Sequence, residues 1–438
     1  MNSIVIANIG TVMRNTHRYR YRGQPIDMKK NNHSDTATAL RQTYRDLLKI
    51  PGLPMLILAA TFSRLASRMF ILTLVLFALA RFGSSELAGW LTFAAIAPGL
   101  TVSPLTGALL DRLGPTVAVR IDMIASASFI AALSLIAWAG VASVPVLFVL
   151  VLLFSLTGPL GASGTRTLLP RLVPAQALDR ANALDTAVYA VVDVVGPALA
   201  GVAVGVLGAE AVLSFIALAF AAAAVCLFRI ERLPGLASPG VSLLRQTLEG
   251  LVMVVRQPTL RGLAISYSLY QLTWGVLVVV VPVFVTRHYS VAAGSSLTGM
   301  LWTAMGMAGG IGALAAGHLR TTGRERHVMA AGMLVTAFAA WPIAAEFGLG
   351  GLAVGLMLAG VMSGPIDVAL LTLRQRRTDP RQLGRVMSIS MSLNLAGFPL
   401  GSAMAGMVVT KSLSAAFVLS GLAAAAGALA TLSIPRDH

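Results

Sequence analysis

Twelve long apolar stretches constrain this chain more than any other feature. They run over about 54–80, 87–110, 118–139, 145–165, 181–208, 211–230, 260–286, 296–317, 328–345, 349–373, 385–409 and 412–433. Each approaches or exceeds the roughly 20 residues with which a helix crosses a bilayer. In hydrocarbon, every backbone N–H and C=O must be satisfied within its own segment or in a closed barrel. Barrel strands would be short and alternating, whereas these runs are long and continuous, so helices are expected. Prolines inside them (Pro98, Pro159, Pro197, Pro282, Pro365 and Pro399) are tolerable in spanning helices. The expected fold class is an all-α membrane protein with twelve transmembrane helices.

Composition closes off the alternatives. Hydrophobic residues make up 56% of the chain and charged residues 11%. A soluble domain carries about 25% charged residues, and a disordered chain is poor in hydrophobics. The single cysteine, Cys226, leaves no disulfide framework and no cysteine-based metal cluster.

The formal charge of +16 raises the question of nucleic acid, and the placement of the cations answers it. With the N-terminus in the cytoplasm, 28 of the 33 Lys/Arg fall on cytoplasmic segments and three (Arg81, Arg287 and Lys411) in external loops. Arg64 and Arg68 lie within the first helix. Such asymmetry is the positive-inside signature. The basicity labels topology, with both termini cytoplasmic, and no nucleic-acid partner is expected. Arginine in excess of lysine suggests GC-rich coding and a bacterial cytoplasmic (inner) membrane.

Residues 1–53 form a basic tail expected to be disordered, with nine Lys/Arg against three Asp. No signal peptide is evident, and Met28 opens a plausible alternative start, so residues 1–27 are either an upstream extension of the reading frame or part of that tail. Residues 54–230 form one group of six spans and 260–433 another, with a short tail at 434–438. The connection 231–259 is expected to hold an amphipathic surface helix over 241–257. There Leu243, Leu244, Leu248, Leu251, Val252 and Val255 recur at helical spacing.

The halves repeat at an offset of 205 residues. Gly107-Ala108-Leu109 matches Gly312-Ala313-Leu314, Arg171 matches Arg376, and Arg180 matches Arg385. Gly196 and Gly201 match Gly401 and Gly406. Two related six-helix bundles imply a pseudo-two-fold axis along the membrane normal and a substrate path between them.

On these residues the chain resembles the major facilitator superfamily. "GALLDRLGPTVAVR" (Gly107–Arg120) looks like its loop motif between helices two and three, with Gly107, Asp111, Arg112 and Gly114 fitting and Pro115 replacing a usual basic residue. "RTLLPRLVPAQALDRANALDTA" (Arg166–Ala187), followed by "GPALAG" with Gly196, Pro197 and Gly201, is similar to exporters of drugs, macrolides and siderophores. The Gly-Pro pair resembles the fifth-helix motif of proton antiporters, without its upstream glycines. The resemblance implies two pseudo-symmetric six-helix bundles, alternating access, and a conformational lock at Asp111 and Arg112. "SRLASR" departs from the family by placing Ala66, Ser67 and Arg68 where an acid often stands, and Ala316 aligns with Asp111 in the second half.

A charge at a helix centre costs about 2.5–3.5 kcal/mol on insertion scales, so each intramembrane ion is a functional hypothesis. Arg64 and Arg68 are four apart on one face of the first helix. They either meet a polar or anionic substrate, pair with buried acids, or snorkel. Asp193, on a face with Tyr189, Gly196 and Pro197, is the first proton-coupling candidate, with a structural hydrogen-bonded acid as the rival. Asp367 is the second, with a salt bridge to the nearby arginines as the plainer reading. Asp122 reads as structural. Tyr267, Tyr270, Gln271 and Trp274 gather on one face of the seventh helix and line a cavity or pack, and Asn394 is a further cavity candidate.

No phosphate-binding loop, nucleophile–base set or metal pair is present, so no enzyme, cofactor or metal is expected. The expected function is proton-coupled export of a small organic compound by a monomer in the lipid bilayer. Facilitated uptake of a polar or anionic metabolite, or a non-transporting sensor or scaffold, are the alternatives.

Overall fold

A computed structural model describes residues 44–174, 177–234, 251–318, 323–339, 346–378 and 383–435. Most of the basic tail, residues 241–250 of the expected amphipathic helix and most of the C-terminal tail lie outside the described residues. Among its described residues the body from Asp46 onward consists of helices joined by short turns, with no strand. The helices are α1 Leu53–Phe82, α2 Ser85–Leu113, α3 Pro115–Trp138, α4 Val144–Leu172, α5 Leu178–Leu207 and α6 Ala209–Phe228, then α7 Pro258–His288, α8 Val291–His318, α9 Glu325–Ala339, α10 Gly348–Arg376, α11 Leu383–Leu395, α12 Gly397–Val409 and α13 Leu413–Ala430.

Among the described residues, ten stretches are long and apolar enough to cross a membrane. Besides these stand the 29-residue α2 and the 15 described residues of α9. Starts and stops follow local chemistry. Ser84 and Ser412 cap α2 and α13 by accepting from Leu87 and Ala415 N–H at 3.1 Å each. Prolines open α1, α3, α4 and α7, where their missing N–H costs nothing. Gly114 turns the chain from α2 into α3 at φ 80°, a conformation that favours glycine.

The eleventh apolar stretch, expected as one helix, is two. It breaks at Ala396, three residues before Pro399, whose ring disfavours helix continuity against the carbonyl of residue 395. Pro159, Pro197, Pro282 and Pro365 lie inside unbroken helices.

Packing repeats the sequence duplication. In the first half α1 packs on α5 and α6, α2 on α4, and α3 on α4 and α6; in the second, α7 packs on α12 and α13, α8 on α10, and α9 on α10 and α13. The repeat extends to single contacts. A Cβ at Gly196 would lie 2.5 Å from Arg68 Cβ on α1, and one at Gly401 would lie 2.2 Å from the Leu272 carbonyl oxygen on α7. Arg68 and Leu272 are themselves within one residue of the 205 offset. The pair Gly99·Ser155 and the pair Met305·Gly360 correspond in the same way.

The halves meet chiefly along two crossings, α5 on α8 and α12 on α2. Both depend on missing side chains. A Cβ at Gly201 would come within 2.4 Å of Gly299 Cα, one at Gly205 within 2.5 Å of the Ala292 carbonyl oxygen, and one at Gly89 within 2.3 Å of the Ser402 carbonyl oxygen. These contacts share one end of the molecule. There Arg81 also donates to the Gly140 carbonyl at 2.8 Å and Arg287 to that of Val409 at 3.3 Å.

Candidate functional site

Most of the ionisable side chains predicted to matter lie on α1 and α5 of the first half and α10 of the second. On α5, Asp185, Tyr189 and Asp193 recur every four residues, which stacks them on one face. On α1, Arg64 and Arg68 do the same. The two faces meet. Arg64 Nη1 lies 2.8 Å from the Asp185 carboxylate, and the same guanidinium donates to the Asp185 backbone carbonyl at 3.3 Å. It also lies 4.3 Å from the centre of the Tyr189 ring. Arg64 and Asp185 are largely buried, at 11% and 18% side-chain exposure. Arg68 Nε reaches Asp193 at 2.6 Å, with both groups nearly half exposed.

Both arginines of the first helix are therefore neutralised by acids of the fifth, one of the alternatives the sequence left open. Gly196 is what lets α5 come so close to Arg68. Asp185 went unremarked in the sequence; its signal was the four-residue spacing to Tyr189 and Asp193, which repeats that of the arginines. Arg166, on α4, reaches the same Tyr189 ring at 5.6 Å.

The second half contributes a different set. The Tyr267 hydroxyl donates to Asp367 on α10 at 2.5 Å, and Asp367 is exposed. A salt bridge was the plainer expectation at Asp367, and among the described residues no cation stands at ion-pair distance from it. Nearby Arg374 is instead buried; with the Asn394 amide turned so that its oxygen faces the cation, the guanidinium donates to that oxygen at 2.5 Å and the amide nitrogen donates to the Ser390 carbonyl at 3.1 Å. Asn394 thus lies in the interior and bridges α10 and α11. Asp193 and Asp367 lie on opposite halves, close enough to interact electrostatically.

The aromatic stripe of α7 divides. Tyr267 and Gln271 are half-buried, while Tyr270 and Trp274 are core residues. Tyr270 packs edge-on against Trp274 at 6.0 Å between centroids, and Trp274 continues to Trp302 of α8 at 6.4 Å. Asp122 is buried against α4, where a Cβ at Gly161 would collide with its carboxylate, and it accepts from Ser126 at 3.3 Å.

In the loop motif, Gly114 makes the turn and Arg112 is exposed. Asp111's side chain and the surroundings of Gly107 lie outside the described residues. Arg120, at the motif's end, is buried and caps α6, donating to the carbonyls of Leu227 at 2.9 Å and Ile230 at 2.6 Å. Among the described residues no cluster of His, Cys, Asp and Glu is suited to a metal.

The family model described as Major Facilitator Superfamily matches residues 56–319 and 263–438, so it spans both six-helix groups. The chain belongs to the major facilitator superfamily. It is 70% identical over 395 residues to an uncharacterized MFS-type transporter of Sinorhizobium fredii, covering 90% of this chain and 98% of the relative. It is 28% identical over 374 residues to the multidrug efflux pump Tap of Mycobacterium tuberculosis, covering 82% and 87%.

Among solved structures it resembles the nucleoside transporter NupG with a TM-score of 0.69 at 12% identity, covering 87% of this chain and 98% of that one. A POT family transporter in complex with thioalcohol conjugated peptide follows, with a TM-score of 0.64 at 12% identity over 87% and 95%. At such identity these two speak for the fold alone. As a facilitator-superfamily member the chain is a multi-pass membrane transporter of small molecules and not an enzyme.

Proposed function

We propose that this transporter is a proton-coupled exporter of a small organic compound, working as a monomer in a bacterial inner membrane with both termini in the cytoplasm. Two bundles, 54–230 and 260–433, rock about the gap between them while the linker 231–259 holds them together. The observation that carries the reading is the pair of acids, Asp193 and Asp367, facing the gap from opposite halves. Charged groups at membrane depth are retained where they serve a pathway or a relay. Likeness to the efflux pump Tap supports the direction.

The glycine-based contacts join the halves at the end bearing Gly83 and Gly208. With the cation count placing that end outside, this is a conformation closed to the exterior. Arg64 and Arg68, already neutralised by Asp185 and Asp193, offer no free charge to an anionic metabolite. That weighs against uptake of such a compound. Asp111 and Arg112 remain our proposal for the lock of the opposite conformation, and Gln271 with Tyr267 for the cavity wall of the second half.

The test is transport by purified full-length protein in proteoliposomes. A panel of organic compounds, chosen from those to which a deletion strain becomes sensitive, is assayed with and without an imposed pH gradient. Efflux that accelerates several-fold with an inward proton gradient is expected. Flux indifferent to the gradient removes the coupling, and uptake in place of efflux removes the direction.

A further inference from the structure

Resting on the antiport reading, we propose that Asp367 is the proton carrier, that Tyr267 is its positioning residue, and that the Arg68–Asp193 pair is a fixed charge pair facing it across the gap. The two gap-facing acids look equivalent in sequence, and geometry separates them. Asp193 is held at 2.6 Å by a guanidinium, so binding a proton there would abandon a charge-assisted hydrogen bond. Asp367 is met at 2.5 Å by a neutral phenol, which leaves no ion pair to break. Tyr267 donates to Oδ1 and fixes the carboxyl plane, so Oδ2 is the oxygen that takes the proton.

The groups around Asp367 are few. From α7 come Tyr267 and, behind it in the core, Tyr270. From α5, across the gap, comes Asp193. On its own helix Arg374 lies two turns away and is engaged with Asn394. The charges of α9 are placed elsewhere, Glu325 against Arg376 at 2.9 Å and Arg326 on the Ile434 carbonyl at 3.0 Å. Along α8, no acid or base precedes His318 at its end.

The helical rise of about 1.5 Å per residue puts Asp367 and Tyr267, each nine residues from a helix end on the same side, at one depth of about 13 Å. That is deep in the gap yet within reach of its water. The step is a bare proton transfer. Hydronium gives its proton to Oδ2, one O–H bond forming as another breaks, and the reverse occurs when the gap opens to the other side. Tyr267 keeps its own proton throughout. With Asp193 locked to Arg68, the charge facing Asp367 stays constant, so what changes between loaded and unloaded carrier is one carboxyl.

Infrared difference spectroscopy on the purified full-length protein, titrated between about pH 5 and about pH 9, reads the carboxyl directly and needs no substrate. The wild type is expected to gain a protonated-carboxyl C=O band on acidification. Against an Asp122→Asn background, which removes a buried carboxyl that among the described residues also lacks a cation beside it, Asp367→Asn should lose that band and Asp193→Asn should keep it. Tyr267→Phe should keep it with a displaced midpoint, a shift that a merely structural tyrosine would not produce. In that background a band that persists in Asp367→Asn, or disappears in Asp193→Asn alone, overturns the proposal. Asp367→Glu guards against a folding defect, because it should retain a titrating band.

In proteoliposomes with ethidium as the probe, Asp367→Asn should lose at least ten-fold of the gradient-driven flux. Full gradient response in that variant overturns the proposal as well. Should the wild type itself ignore the gradient, the antiport reading falls, and the infrared titration still decides whether Asp367 is the titrating acid.

Discussion

At the scale of single residues, the first half of this transporter is organised by one buried ion pair. Arg64 and Asp185 share a carboxylate contact, a backbone contact and the face of Tyr189. Breaking a buried pair by removing one partner costs about 3–5 kcal/mol, because the other charge is stranded. Asp185→Ala is therefore expected to lower thermal stability in detergent markedly. Replacing both partners, as Arg64→Met with Asp185→Leu, should restore most of the loss. Equal destabilisation by the single and double variants would mean that the pair holds no such role. Arg68–Asp193 is half exposed, and exposed pairs contribute little, so Asp193→Asn should change stability far less than Asp185→Ala. None of this pairing was legible residue by residue. Spacing along α1 and α5 put each set on a face, but which faces meet is a matter of how two helices pack.

At the scale of helices, glycine decides where the halves can touch. Gly201 of α5 lies against Gly299 of α8, and Gly406 of α12 lies against Ser85 and Glu86 of α2. Any Cβ at Gly201 would enter the backbone of the other half, which cannot yield as a flexible side chain can. Gly201→Val is expected to push α5 and α8 apart at that end and to depress transport several-fold. Spin labels at Val206 and Val291, both exposed, measure the separation. Distances unchanged from wild type would show that the crossing absorbs the added bulk. The glycines at 196, 201, 401 and 406 were visible as a repeat in the sequence. Their two separate duties, seating α5 on Arg68 and joining the halves, were not, because a glycine does not announce its neighbour.

At the scale of the whole molecule, the proposed orientation rests on the cation distribution. With Cys226 replaced by Ser, single cysteines at Ser84 or Ser412 are expected to react with a membrane-impermeant maleimide in intact cells. Cysteines at Arg112 or Arg377 should react only after permeabilisation. The reverse pattern would invert the orientation, and with it the direction of transport proposed above. The duplication explains why the two crossings are built alike. Each half supplies one glycine-bearing helix, α5 or α12, to the other, so a single ancestral crossing serves twice.

The chain by itself determined the helical membrane architecture, the count of apolar stretches and the relatedness of the halves. These follow from hydrocarbon thickness, backbone hydrogen bonding and local periodicity, which act along the sequence. It also marked Arg64, Arg68, Asp193 and Asp367 as candidates, since charge at membrane depth is conspicuous. Only the tertiary structure decided their partners: Asp185 for Arg64, Asp193 for Arg68, Tyr267 for Asp367, and Asn394 for Arg374. It alone sent Tyr270 and Trp274 into the core while leaving Tyr267 and Gln271 half-buried. The reason is physical: a partner is chosen by helix rotation and the distance between helix axes, and both are set by which side chains elsewhere are small enough to let two helices meet.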